Sequence, residues 1–287
     1  MIYLLLSIIS SSLIFIIFKW IGKLQMNTLL IIVMNYFFAA LTGIIITGSN
    51  FFSDMLNATW LIYAVLLGSG FVTIFYTMAV TTHRSGAASA VVATKMSVVI
   101  PILMAFLFLS DEVSVLKILG ILLALLGIFL ATRKEEKSGI WNKNVLLLLI
   151  LFFGSGFIDS AIKLIEKFYL SDADIVMFTS TLFLTAFLTG VIIVAVKAKK
   201  HIATFQLNKV WMALLLGLIN FASIYFLVQA LKTDGMESSI LFPLNNIGVV
   251  VLSTLLSVLL FKESLSRINI SGVVVSIVAL IVLMFAV

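Results

Sequence analysis

The sequence predicts an all-α membrane protein of ten transmembrane helices, arranged as two inverted five-helix repeats. Three observations lead there. Ten apolar runs are each long enough to cross a bilayer, only short polar stretches separate them, and landmarks in the first half recur in the second. Of 287 residues, 63% are hydrophobic and 10% are charged. Soluble domains carry about 25% charged residues, so this chain lacks the polar groups to cover a water-facing surface. Lipid is its main solvent.

A bilayer core of about 30 Å takes roughly 20 apolar residues in a helix. Such runs fall within 2–24, 27–47, 58–81, 86–109, 114–132, 144–164, 174–196, 209–231, 237–261 and 267–286. They are continuously apolar, without the alternation that membrane strands require. Each must be helical throughout, or shielded by protein where it breaks. The first run lacks a basic leader and a small-residue cleavage site, so it reads as a retained span. Trp20, Trp60, Trp141 and Trp211 fall at or near span ends, where indoles favour the headgroup region.

The charge of +6 is spread over short loops, a topological pattern rather than a nucleic-acid footprint. Loops 1–2, 3–4, 5–6, 7–8 and 9–10 carry twelve basic residues: Lys23, Arg84, Arg133, Lys134, Lys137, Lys143, Lys197, Lys199, Lys200, Lys209, Lys262 and Arg267. The other side carries three, Lys117, Lys167 and Lys232. The bare count places both termini outside the cytoplasm. There is no Cys, and the two His residues fall near loops, so no metal site or cofactor motif is visible. No H-E-x-x-H, G-x-S-x-G or central pair of carboxylates supports an enzyme. A receptor or scaffold would need a substantial loop or tail, which the pattern lacks. Those two classes remain the alternatives to transport.

The repeat is gapless over its best stretch. A shift of 151 residues places Trp60 on Trp211, Ala79 on Ala230, Thr82 on Thr233 and Glu112 on Glu263. Shifts of 152 and 144 place Gly120 on Gly272, and Ser11 and Lys19 on Ser155 and Lys163. Five spans per unit is an odd number, so the second unit enters the membrane in the opposite sense. Inverted repeats of this kind are common in secondary transporters. The expected units are residues 1–137 and 138–287.

Two segments carry a family resemblance. AVTTHRSGAASAVVATKMSVVIPILMAFLFLSDEVSVLKILG, from Ala79 to Gly120, and ALKTDGMESSILFPLNNIGVVVLSTLLSVLLFKESLSRINISG, from Ala230 to Gly272, share a sequence of features. A small-residue turn leads into an apolar helix, a Glu precedes the next span, and a Gly follows near its start. The chain resembles the EamA branch of the drug/metabolite transporter superfamily. The resemblance implies a ten-helix transporter of small organic solutes, amino acids or other metabolites, working in the cell membrane by alternating access. It also implies cytoplasmic termini, opposite to the charge count. The family's proline midway along spans four and nine is displaced here, since Pro101 and Pro243 occupy non-equivalent positions.

Within the spans, Lys95 lies roughly 13 Å into its run, near mid-membrane. A charge there costs about 3 kcal/mol on insertion scales, which marks it for a polar cavity and suits it to a solute carboxylate. Asn246 is its repeat partner, with Asn245 beside it. Asn35 and Asn220 are further cavity candidates, with interhelical hydrogen bonding as their other reading. Lys19 and Lys163 lie toward the ends of their runs, and Asp159 is placed to pair with Lys163 one turn on. Pro101 and Pro243 free the carbonyls of Ser97 and Ser239. Glu112 and Glu263 are read as helix caps or gating residues. The small face of Gly120, Ala124, Gly127 and Ala131, repeated by Gly272, Ser276 and Ala279, marks spans five and ten as packing helices. The partners expected are the lipid bilayer and a small solute.

Overall fold

The computed structural model describes residues 1–23, 28–85, 93–109, 111–132, 145–197, 210–233, 237–262 and 266–285. Among them every regular element is a helix. In chain order these are α1 (Ile2–Lys23), α2 (Thr28–Thr47), α3 (Phe51–Asn57), α4 (Leu61–Ser85), α5 (Val99–Phe108), α6 (Val115–Thr132), α7 (Val145–Tyr169), α8 (Asp174–Lys197), α9 (Val210–Lys232), α10 (Ser238–Phe261) and α11 (Arg267–Met284). Seven helices are long and apolar enough to cross a membrane, and three further apolar helices are shorter.

Three details depart from the expected spans. The short helix α3 follows span two, and its Phe51 is fully buried. Trp60 is 1% exposed, packed edge-to-face on Phe178, and so is no headgroup anchor. Its repeat partner Trp211 is 54% exposed, as an interfacial indole should be. Span four is interrupted: 93–96 is helical, Ser97 and Val98 form a turn, and α5 begins at Val99. Pro101 lacks the N–H that would continue the ladder to Ser97. The Ser97 carbonyl is not left free, however, because Ile100 N–H donates to it at 2.9 Å. Pro243, by contrast, lies inside the continuous helix α10.

The chain divides into two compact units, and neither is a sequence half. Unit one comprises 1–73 and 164–232; unit two comprises 74–163 and 233–287. In unit one, Ile17 and Ile21 of α1 cluster with Ile31 of α2 and Met212, Ala213 and Leu216 of α9. Helix α2 also lies against α8. Gly43 faces Ser180 there, and Gly190 faces Val33. As the contact advances along α2 it retreats along α8, so the two helices run antiparallel.

Unit two holds the packing pair expected for spans five and ten. Gly120 of α6 meets Leu283 of α11, Gly127 meets Ser276, and Ala131 meets Gly272. This pair is antiparallel by the same reasoning. The pattern is also reciprocal under the repeat, since Gly120 corresponds to Gly272 and Ala131 to Leu283. The end of the interface is tied by Asn269. It completes a capping box with Ser266 at the start of α11 and donates its amide to Leu130 O at 3.2 Å and Ala131 O at 3.0 Å.

A Cβ on Gly127 would stand 2.7 Å from the Ser276 nitrogen and 2.9 Å from its Cα. Backbone cannot yield as a flexible side chain can. Gly127→Leu is therefore expected to destabilise the protein by about 3 kcal/mol. A thermal melt in detergent reads this, and an unchanged melting temperature would contradict the close approach.

Candidate functional site

Unit two brings together polar groups that lie far apart in sequence. The helical turn 93–96 carries Lys95, α10 carries Asn245 and Asn246, and α7 carries Asp159. Lys95 Nζ donates to Asn246 Oδ1 at 3.1 Å. The bond joins repeat partners, 151 residues apart. Both asparagines are buried, at 8% exposure, while Lys95 and Asp159 are half-buried. Apolar neighbours fix the spacing of α7 against α5, where a Cβ on Gly156 would stand 2.7 Å from Ile100 Cβ.

Lys95 acts electrostatically on Asp159 from another segment. Helix α7 extends to Tyr169, so Lys163 lies inside it rather than at its end. Lys19 lies in α1, and its side chain is outside the described set.

Asn35 and Asn220 meet each other in unit one, with Asn220 Nδ2 donating to Asn35 Oδ1 at 2.9 Å. Asn35 also donates to Ile32 O at 2.9 Å. These amide bonds fit the helix-joining reading, typically worth about 1 kcal/mol. A second polar contact in the same unit joins Ser69 to Thr189 at 3.2 Å. Ser69 is the repeat partner of Asn220.

Glu112 is exposed and does not cap α6. Ser114 does, accepting from Lys117 N–H at 3.2 Å. Glu263 lies outside the described residues.

The sequence reading missed an ionic cluster in unit two. Lys117, counted there as a loop charge, is only 3% exposed. Its ammonium donates to Glu237 Oε2 at 2.7 Å and to Glu112 O at 2.8 Å. Asp111 accepts the Ser239 N–H at 2.8 Å and so covers the start of α10 from another loop. One signal was available. A lysine in the first turn of a helix opposes the helix dipole and calls for an acidic partner. Lys232 is held similarly in unit one, by Asp172 at 2.7 Å and Leu170 O at 3.1 Å.

The sequence model of the EamA-like transporter family matches residues 1–133. A protein of Haemophilus influenzae (strain ATCC 51907 / DSM 11121 / KW20 / Rd), described as an uncharacterized protein, is 30% identical over 215 residues. That match covers 74% of this chain and 72% of the relative. The chain belongs to the EamA-like transporter family. It is thus a multi-pass integral membrane protein of a transporter family, and that family is not one of enzymes. A solved crystal structure shares the fold with a TM-score of 0.78 at 14% identity, covering 99% of this chain and 97% of its own.

Two stability outcomes follow from the pairings. Lys95→Met strands Asp159 and should destabilise the EamA-like protein by about 2 kcal/mol or more, with Asp159→Asn on top recovering most of the loss. Thermal melts of the four-member cycle read the coupling, and simple additivity would contradict the pair. At the second cluster, Glu237→Gln strands a buried ammonium, whereas Lys117→Met leaves a carboxylate that is 34% exposed and can hydrate. Glu237→Gln should therefore cost more, by about 1 kcal/mol. The reverse order in melting temperatures would contradict that account.

Proposed function

We propose that the protein is a ten-span carrier that moves small organic solutes across the cell membrane by alternating access between two inverted repeats, residues 1–137 and 138–287. Membership of the transporter family supplies the class. The observation that carries the mechanism is that repeat-partner helices run antiparallel and touch reciprocally, α2 with α8 and α6 with α11. A two-fold axis relating the halves within the membrane plane produces both features. Each half can then adopt the conformation its partner has just left.

Lys95 and Asn246 support the same axis. Residues exchanged by a two-fold operation can bond to each other only close to that axis, and these two do so at 3.1 Å. A group near the axis is placed to meet solute in both access states. Lys95, Asn246, Asn245 and Asp159 are the proposed binding residues. In a wet central space the cost of holding their charges falls, and their hydrogen bonds can be exchanged for those of a solute.

Two measurements test this reading. Because the chain has no Cys, single cysteines report topology cleanly. Ser49→Cys and Lys197→Cys occupy corresponding ends of spans two and seven and should be labelled from opposite sides of the membrane; labelling from one side would defeat inverted halves. In proteoliposomes the wild type should show saturable solute flux. Lys95→Met/Asp159→Asn should lower that flux at least about tenfold, equivalent to about 1.4 kcal/mol of lost recognition. Full flux in a folded double variant would remove the pair from the site.

A further inference from the structure

Unit one holds a pocket of about 370 Å³ bordered by the end of α2, helix α3, the turn into α4 and the start of α8. None of its residues is among the proposed solute-binding residues, which all belong to unit two. Its lining includes Thr47, Asp54, Thr59, Trp60, Asp174 and Met177. Local sequence explains how these meet. Gly48 takes φ +82°, a backbone conformation that residues with a β-carbon rarely adopt, and its N–H closes α2 on Ile44 O at 2.9 Å. The chain turns there and continues as α3, which the buried Phe51 pins and which carries Asp54. Trp60 is held edge-to-face on Phe178.

The two carboxylates differ in what they already do. Asp174 accepts from the Ser171 N–H at 2.9 Å and from the Ser171 hydroxyl, and so fastens the turn that opens α8. The Asp54 carboxylate is exposed and has no hydrogen bond or ion pair among the described residues. A second acceptor is also open. Thr42, Thr73, Thr81 and Thr181 each donate their hydroxyl to the carbonyl four residues back. Thr47 does not, and its buried Oγ1 has no hydrogen-bond partner. A buried polar atom in that state is uncommon. The C-terminal end of α2 adds partial negative charge beside it. No basic side chain lines the pocket, and Lys232 of the same unit is held by Asp172 and Leu170 O. A cleft lined by charge of one sign gathers ligands of the other. The volume suits an organic molecule, since small-molecule sites run from roughly 300 to 1,000 Å³. A bare metal ion instead needs a close cage of oxygens, and two acids alone line this space. The repeat shift of 151 carries Asp54 to Phe205, and Ala58, another lining residue, to Lys209. The acid is therefore not a requirement of the repeated fold.

We propose that this pocket binds a small alkylammonium ion. Its N–H groups donate to the Asp54 carboxylate and to Thr47 Oγ1, and its carbon chain packs on Met177 and the Trp60 ring. The site goes beyond the carrier reading and does not depend on it.

Butylammonium, 1-butanol and butyrate are similar in length and differ in charge, so they serve as probes of the purified full chain at neutral pH. Trp60 is one of four tryptophans, and replacing Trp20, Trp141 and Trp211 by Phe leaves its fluorescence as a reporter at the pocket. Titration calorimetry on the wild type gives a second reading that needs no substitution. Butylammonium should produce a saturable Trp60 signal and a saturable heat, with butanol and butyrate at least about tenfold weaker. Asp54→Asn should weaken butylammonium at least about tenfold and leave the melting temperature of the unliganded protein unchanged, because the carboxylate it removes has no partner to lose. Thr47→Val, close in shape, should weaken it about threefold, and Asp54→Glu should keep part of the affinity. No saturable binding by either method, equal binding of butanol, or full affinity in Asp54→Asn would overturn the proposal. Magnesium chloride giving the same Asp54-dependent signal in place of the amine would overturn the organic assignment. Binding is read without transport, so failure of the carrier reading would leave a positive result standing.

Discussion

A charge taken out of water must be met by charge or dipole carried on another part of the chain, and this protein meets that constraint the same way three times. Lys95 donates to the amide oxygen of Asn246, and Asp159 acts on it electrostatically. Lys117 lies between Glu237 and the carbonyl of Glu112, and Lys232 between Asp172 and the carbonyl of Leu170. One acid and one neutral oxygen recur in each case. An ammonium has three donors and no preferred plane, so such mixed partners suit it better than they would a guanidinium. Two of these lysines tie elements together close to helix ends. The third is deep in an interrupted span.

The interruption matters to that difference. A regular helix through 93–108 would satisfy its own backbone and present Lys95 on a fixed cylinder. The turn at Ser97 and Val98, enforced by Pro101, ends one ladder and begins another. Its carbonyl finds Ile100 N–H, so the break leaves no orphan group at that carbonyl.

Much of the architecture was legible because lipid enforces it. Run lengths alone located the apolar helices, and the small residues of α6 and α11 foretold a close approach that Gly127 and Gly272 now show. Lys95 and Asn246 were linked by the repeat shift before their bond was seen. What escaped was partner choice. Asp159 has a lysine one turn away in sequence, whereas the electrostatic influence of Lys95 reaches it from another segment. Lys117 was assigned to water because it borders a loop, although its place in the first turn of a helix already argued for an acid. The acid is Glu237, 120 residues away, a separation that no periodicity encodes. Trp60 and Trp211 teach the same lesson, since aligned positions received opposite burial once α3 and α8 were in place.

Asn269 has a consequence for how the chain comes into being. Its amide satisfies carbonyls at the end of α6, while its own helix is the last of those described. During synthesis α6 is complete long before Asn269 leaves the ribosome. Until then its final carbonyls and its stripe of small residues must be accommodated by water, lipid or the insertion machinery. The end of α6 is thus finished by α11, and its final packing waits on translation of Asn269.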